Sequence, residues 1–556
     1  LLSEKESKLL RVLHRYLVCW LVVLCGLGAC STNDFFRQKA KPIPLERAYG
    51  YGVLPDLSAL GNKALRAKCE QQERTTALGV TLLLHCTYEL LSRKNVSAEN
   101  RQFALRHYNW AVGTLFQQRD TQSNLVQVNY SGPSKIFLVD AMIPTEDRLQ
   151  PIVFGQLGSA AVSFQKNRSS ENTNIDPNFP LEGIFSSYSI YASTVTLEGL
   201  RLHVTLHAVP VNKTTYVDFS QQQYALRYSE GAAFLGLLQS ADIHNFSWLG
   251  FTNAEKAESR MGVFSIGPLS SSKTPLIMLH GLNSDPLIWR YLTMAILNDE
   301  TLSQRFQIWH VYYPSGPPPF YNAMRVRKLL NQLKVRVSPE PSLESAVIVG
   351  HSMGGVIAKL LTSQPHDKLW DATFTSPPES LLSEDDTDVR DVFLFSPVFK
   401  HNTVFFLDTP HRGSDVANSL IGSIGSSLIS LPFNFRELFR GFIEKVGVSK
   451  LTQAMLPFLQ NFGPDSVQVL RPNHPLMTAL ATTPVEGKSY SIIGSTSALV
   501  CDTPKRCAAI SDSVVTYSSA FIEDAEETII VASSHNSFES TQAIQFILEK
   551  LHDIDK

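Results

Sequence analysis

A chain of 556 residues is too long for one ordinary domain and predicts about two to four. With 44% hydrophobic and 18% charged residues it carries ample core material, which excludes a disordered polymer. A formal net charge of −2 with no long basic run gives no electrostatic case for a nucleic-acid partner.

The chain opens with Lys5, Lys8, Arg11 and Arg15 ahead of an apolar run over 16–27. A basic segment followed by a short apolar one is the pattern of an export signal, and the run is short for a stable membrane span. It ends in Leu27-Gly28-Ala29-Cys30, which resembles the lipobox of bacterial lipoproteins. The resemblance implies a signal peptide over 1–29, cleavage before Cys30 and a diacylglycerol on the Cys30 thiol. Acyl chains of that kind hold a protein to a membrane by ~0.8 kcal/mol per buried CH₂. Ser31, where an inner-membrane lipoprotein carries Asp, resembles outer-membrane sorting. The expected location is therefore the bacterial cell envelope. An uncleaved signal anchor is the alternative. Of the seven cysteines, Cys19 and Cys25 lie in the signal and Cys30 is the lipid site. Cys69, Cys86, Cys501 and Cys507 remain, an even set for an oxidising compartment. Cys501 with Cys507 closes a short loop and is the favoured bridge; Cys69 with Cys86 would staple two helices, and three pairings stay open. No cysteine–histidine spacing resembles a zinc site.

Residues 30–55, with Pro42 and Pro44, read as a tether. From 56 to 120 the pattern is helical, with apolar residues at three- and four-residue spacing over 69–91 and 98–115. Ala104, Leu105, Tyr108, Val112 and Leu115 form one face of the second helix. From 121 to 270 short β-branched runs separated by Gly, Pro, Asn and Ser read as strands, at 126–128, 134–139, 153–154, 189–192, 195–197 and 201–209. His203 and His207 have no third ligand nearby and read as a surface-facing pair rather than a metal site. This region carries no legible chemistry. Extension of a later sheet and a cap or partner-binding face are both open, and its protein partner is unknown.

From Thr274 strands and helices alternate: 275–280, 306–313, 346–349, 403–407, 489–493 and 528–532 are strand-like. That alternation predicts a mostly parallel sheet covered on both faces, with the ligand site at the carboxyl ends of the strands. The helix-forming interval 414–480, apolar over 428–433, reads either as a lid insertion over those ends or as an ordinary packed helical pair.

Within this half, Gly350-His351-Ser352-Met353-Gly354 sits between a β-branched run and a helix-compatible one. Strand, sharp turn, helix with a serine at the apex is the context of a nucleophile elbow. Ser352 is the expected nucleophile, and the Met353 N–H, at a helix N-terminus, is one expected oxyanion donor. Acyl transfer by a serine also needs a base and an acid, here in the order Ser, acid, His. Among His366, His401, His411, His474, His535 and His552, only His535 lies just after the last predicted strand. It is the expected base. Asp512, in a small polar loop between the last two strands, is the expected acid. Asp408, at the end of the preceding strand, is its rival; Asp502 falls inside the cysteine loop and Asp524 reads as a surface charge. The second donor is the Leu282 N–H, after His280-Gly281, with His280 expected to hold that loop.

Together His280-Gly281-Leu282-Asn283-Ser284, Gly350-His351-Ser352-Met353-Gly354-Gly355, Thr409-Pro410-His411-Arg412-Gly413-Ser414 and Ser511-Asp512-Ser513-Val514-Val515 resemble the α/β-hydrolase superfamily, in its lipase and GPI-inositol-deacylase-like branch. The resemblance covers 274 to the C-terminus. It implies an α/β-hydrolase domain over 271–556 behind the helical and β-rich regions, with the Thr409–Ser414 segment beside the active site. The branch commonly has Gly-Val-Val-Pro after the acid; here Ser513 and Thr516 replace the Gly and Pro. The expected activity is a cofactor-free serine hydrolase cleaving small-molecule or lipid carboxylic esters, with an apolar acyl group. An acyltransferase or thioesterase would use the same residues, a peptidase is a further alternative, and a non-catalytic envelope binding protein is the reading of another class.

Overall fold

The computed structural model describes residues 34–39, 57–119, 126–167, 176–180, 182–198, 201–212, 215–219, 222–240, 257–338, 343–416, 431–458 and 464–554. The signal-like segment, Cys30 and most of the tether lie outside the described residues.

A short strand, Phe36–Gln38, pairs antiparallel with Met142–Pro144, and three helices follow it in the chain: α1 (Asn62–Glu70), α2 (Ala77–Leu91) and α3 (Ala98–Gln117). Thr76 and Ser97 cap α2 and α3 by accepting from the N–H groups of Gly79 and Asn100, which satisfies donors the helix leaves open. Cys69 on α1 is bonded to Cys86 on α2. The helices pack on a five-stranded sheet of β1 (Val126–Ser131), β2 (Ile136–Leu138), β3 (Ser159–Gln165), β4 (Ile184–Glu198) and β5 (Arg201–Pro210). Its order is β1-β5-β4-β3-β2, with only β1 and β5 parallel. On β5 every second residue, Leu202, Val204, Leu206 and Ala208, is buried against Leu84, Tyr108 and Val112 of the helices, the period of two that a half-covered strand requires. His203 and His207 occupy the alternate positions, on the opposite face of that strand.

Helix α4 (Glu230–Ser240) leads to the second sheet. This is built from β6 (Gly262–Ile266), β7 (Thr274–Leu279), β8 (Phe306–Tyr312), β9 (Ser345–His351), β10 (His401–Leu407), β11 (Lys488–Ser495) and β12 (Glu527–Ala532). The order is β6-β8-β7-β9-β10-β11-β12, antiparallel only at β6/β8. β6, upstream of residue 271, pairs with β8 from Gly262↔Tyr312 to Ile266↔Ile308, so of the two readings left open for the 121–270 region its end extends this sheet.

Both faces of the sheet are covered. Ile277, Leu279, Ile348, Val404 and Phe406 point to one core, and their neighbours Leu276, Met278, Val347, Val349, Phe405 and Leu407 to the other. The first is covered by helices α6 (Pro319–Val337) and α7 (Met353–Thr362), the second by α5 (Arg290–Leu297) and α9 (Thr541–Asp553). Parallel strands buried on both faces read as continuous apolar runs, as they do here. The chain has an α/β-hydrolase fold, preceded by a helical and β-rich region. Within the interval 414–480, helix α8 (Phe433–Val446) turns Phe435, Phe442 and Ile443 onto α6 and the segment around Phe374 and Phe393. Residues 417–430 of that interval lie outside the described set, as do 459–463.

Candidate active site

The elbow begins where β9 ends. Ser352 has φ 53° and ψ −122°, a region that non-glycine residues enter only when their surroundings enforce it. Two contacts enforce it here. The Ser352 N–H donates to Leu407 O at 2.8 Å, and Ser352 O accepts from the Gly355 N–H at 2.9 Å. A side chain at Gly354 would collide with the carbonyls of Leu279 and His280, so only glycine lets α7 approach β7 this closely. The serine is thereby held at the carboxyl ends of β7, β9 and β10.

His535 lies past the end of β12 and reaches back across the sheet. Its Nε2 is 2.8 Å from Ser352 Oγ and its Nδ1 is 2.7 Å from Asp512 Oδ2. With Nδ1–H donating to the carboxylate, Nε2 is left to accept from the serine hydroxyl. Asp512 is buried, and its other oxygen accepts from the N–H groups of Val514 and Val515 at 2.7 and 2.6 Å. A carboxylate accepting three hydrogen bonds is held in one orientation. Ser513 has φ 80° in the turn after it, the position where the resembled branch carries glycine. Burial alone would lower the His535 pKa; the Asp512 hydrogen bond and the charges of Asp512 and Asp408 outweigh it and raise it. This arrangement can take a proton from Ser352 Oγ and hold the resulting imidazolium.

The expected oxyanion loop sits over the serine. A side chain at Gly281 would lie 2.9 Å from His351 Nδ1 and 3.1 Å from Ser352 Cβ, which places the backbone preceding Leu282 against the nucleophile. The Met353 N–H starts α7 immediately after Ser352. His280 fixes the loop from below. Its Nδ1 lies 2.9 Å from Gly281 O, the Tyr313 N–H donates to its Nε2 at 3.4 Å, and its ring stacks on Tyr313 at 4.2 Å. Donation from Nδ1 and acceptance at Nε2 describe the neutral imidazole, and burial lowers the His280 pKa to about 4. Asn283 is tied in through its N–H to Ser315 Oγ at 3.0 Å.

Asp408, the rival acid, is also buried but faces elsewhere. Oδ1 accepts from the Gly494 N–H at 2.7 Å and Oδ2 from the Ser537 N–H at 3.0 Å. It therefore ties the end of β10 to β11 and to the loop that carries His535. Burial raises its pKa to about 6, with the Asp512 charge adding to this and His535 and the two N–H groups opposing it. The structure places Asp512, not Asp408, against the His535 ring. His351, Asp408 and His535 offer ligand atoms within 4.8 Å of one another. Both His535 nitrogens are engaged by Ser352 and Asp512, so a metal there would have to break the relay.

The remaining candidates separate cleanly. Asp502 pairs with Arg506 at the surface and His552 with Asp299; His474 caps a helix by accepting from the Leu476 N–H. His411 is buried against the Phe406 ring, and His401 is exposed at the start of β10. Cys501 is bonded to Cys507. The Thr409–Ser414 segment braces the acid loop: Ser414 Oγ donates to Val514 O at 2.5 Å, and Arg412 donates to Ser518 O and Phe521 O. Sequence reasoning missed two supports. One is the Ser537 N–H on Asp408; the other is Tyr313, whose hydroxyl donates to His280 O. A tyrosine ending the strand next to the oxyanion loop was the available signal for the second; the first is a backbone contact without one.

No family model matches the chain, and neither does any curated protein. Among solved structures, the mature form of a Bacillus licheniformis lipase is similar at 13% identity and a TM-score of 0.30, over 52% of this chain and 97% of that one. A lipase-esterase related protein from Clostridium acetobutylicum is similar at 13% identity and a TM-score of 0.27, over 53% and 98%. A carboxylesterase of the thaumarchaeon Nitrososphaera gargenis is similar at 15% identity and a TM-score of 0.25, over 51% and 92%.

Proposed function

We propose that the protein is a serine hydrolase that cleaves carboxylic esters through an acyl-enzyme. The observation that carries this is His535 lying at once 2.8 Å from Ser352 Oγ and 2.7 Å from Asp512 Oδ2, on an elbow with φ 53°. In this reading Ser352 Oγ attacks the ester carbonyl carbon as its proton passes to His535 Nε2. The N–H groups of Leu282 and Met353 stabilise the oxyanion, each worth ~10²–10³ in rate. His535 returns the proton to the departing alkoxide, and water, activated by the same nitrogen, releases the acid. The brace from Thr409–Ser414 to the Asp512 loop supports the lipase and GPI-inositol-deacylase-like branch. Preference for an apolar acyl group is part of the same proposal and rests on the resemblance to lipases.

A fluorophosphonate probe tests the reading. Wild-type protein is expected to label at Ser352 and Ser352→Ala not to label, with ester turnover lost in parallel; equal labelling of both would overturn it. A p-nitrophenyl ester series then reports the acyl preference. Envelope anchoring through Cys30 is part of the proposal, supported by the lipobox resemblance and by two disulfides, which persist in oxidising compartments. Cys30→Ala is expected to move the protein from the membrane to the soluble fraction.

A further inference from the structure

The turn that carries His535 is gripped from outside by the N-terminal half of the chain. After β12 the chain runs through Ser533–Ser540, where Ser533 Oγ and Ser534 Oγ donate to Asn536 Oδ1, both at 2.9 Å, and the Glu539 N–H donates to Asn536 O at 2.9 Å. Glu539 closes this turn and meets two arginines. Arg290 Nη2 donates to Glu539 Oε1 at 2.7 Å, and Arg148 Nη1 donates to Glu539 O at 2.8 Å. Arg148 belongs to the region for which the sequence offered no chemistry, 391 residues away along the chain. It sits in a short turn, Asp147–Leu149, that is fixed from both sides. Leu149 is fully buried with Trp289 and Leu292. Glu146 accepts from the Tyr291 hydroxyl. The Tyr291 ring lies between the two guanidiniums, 3.8 Å from Arg148 Cζ and 4.2 Å from Arg290 Cζ.

We propose that the Asp147–Leu149 turn, through Arg148 and with Arg290, is a positioning clamp on the His535 loop, so that the N-terminal half completes the catalytic geometry. The inner side of that loop is held by Asp408 at the Ser537 N–H, and Phe538 packs edge-on against His351 at 4.8 Å and Trp289 at 6.3 Å. Ser534 on this loop is exposed, and Asn536, Glu539 and Ser540 are half-buried. The Arg148 contact is made at the exposed surface, where such contacts contribute little to stability. A catalytic histidine displaced by a fraction of an ångström nonetheless loses rate steeply. The clamp therefore acts on turnover more than on folding.

This inference rests on the proposed roles of Ser352 and His535, and its test separates the two. Ester turnover and the rate of fluorophosphonate labelling at Ser352 are measured for wild type, Arg148→Ala, Arg148→Lys and Glu539→Ala, with Tm for each. Arg148→Ala is expected to lower kcat and the labelling rate by about tenfold, with KM and Tm near wild type. Arg148→Lys, which still carries a donor for Glu539 O, restores most of the loss, and Glu539→Ala, which keeps that carbonyl but removes the carboxylate held by Arg290, lowers kcat and the labelling rate through the second arm of the clamp. Absence of Ser352 labelling in wild type would overturn the catalytic reading and the clamp with it. Normal wild-type labelling with Arg148→Ala at the wild-type rate would overturn the clamp alone. So would a loss that follows Tm or KM, or that lysine fails to rescue.

Discussion

Two buried aspartates lie within reach of one histidine loop, and hydrogen bonds divide their work. Asp512 faces the His535 ring; Asp408 faces two backbone N–H groups. Asp512→Asn removes the charge that favours the imidazolium and presents an amide to Nδ1. Turnover should fall by ~10⁴, the order seen when a triad acid is neutralised. Asp408→Asn should cost no more than about tenfold, because it reaches His535 only through the loop backbone. Parallel kcat measurements decide it, and the reverse order would reassign the acid. The pH profile follows from the same groups. His535 works as a base only when neutral, and its pKa is raised, so kcat/KM should rise with pH through a midpoint above the ordinary histidine value. In Asp512→Asn that midpoint should move down. Asp408 has its own signature in stability. Its folded pKa of about 6 exceeds the unfolded value of about 3.9, so the protonated form favours the native state. That contribution is fully present below about pH 4 and is lost as pH rises through about 6. Tm scanned across this window should fall for wild type and flatten in Asp408→Asn. The serine, the histidine and Asp408 were legible because each sits in a short local pattern at a strand end, and Asp512 because it stands in a small polar loop between the last two strands. Which aspartate faces the ring was not, since that depends on where a loop after β11 folds back.

At the scale of elements, the sequence periods find the six parallel strands β7 to β12 because buried parallel strands are short apolar runs that need no partner to be recognised; the antiparallel edge strand β6 was not among them. The helical region was legible for the same reason, its apolar spacing matching α2 and α3. Their docking was not. β4 carries an irregularity between Ala192 and Thr194, and two helix tyrosines attend it. Tyr108 on α3 bonds both the N–H and the carbonyl of Ala192, and Tyr88 on α2 donates to Ser193 O. Side chains from helices thus satisfy backbone groups that a bulge leaves unpaired. The Cys69–Cys86 bridge holds α1 to α2 across a separation of 17 residues. A loop of that length restricts the unfolded chain by about 3 kcal/mol. The double substitution Cys69→Ser/Cys86→Ser should lower stability by about that much in urea unfolding. Ser352 labelling at low denaturant should be unaffected, because this core is separate from the one beneath the elbow. A loss of labelling without denaturant would show that the helices reach the site.

For the whole molecule, the C-terminal half is not built to stand alone. One face of its sheet is covered by α5 and α9, and those helices share their core with Phe35, Val139, Met142, Leu149, Ala160 and Val162, and with α4. Helix α4 is apolar on nearly every side, with Gly231, Ala232, Phe234, Leu235 and Leu238 buried. The sequence reading did not find it, because two glycines weaken its helical signal and no polar face marks its period. The seam is also polar: Asn298 accepts from the Ile152 N–H and donates to Gln150 O, and Asn178 O accepts from the Ser265 N–H on β6. Cutting the chain before Ala257 would expose Leu292, Met294, Ile296 and Phe546 partners at once. Each buried side chain of that size is worth about 1.5–3 kcal/mol, against a total stability of about 5–15 kcal/mol for a typical domain. A fragment spanning 257–556 should therefore be insoluble or, if recovered, should bind a hydrophobic dye and fail to label at Ser352. A soluble fragment with the full-length Tm and ester turnover would show that the N-terminal half is an appendage. It would also remove Arg148 without consequence, and so contradict the clamp by an independent route.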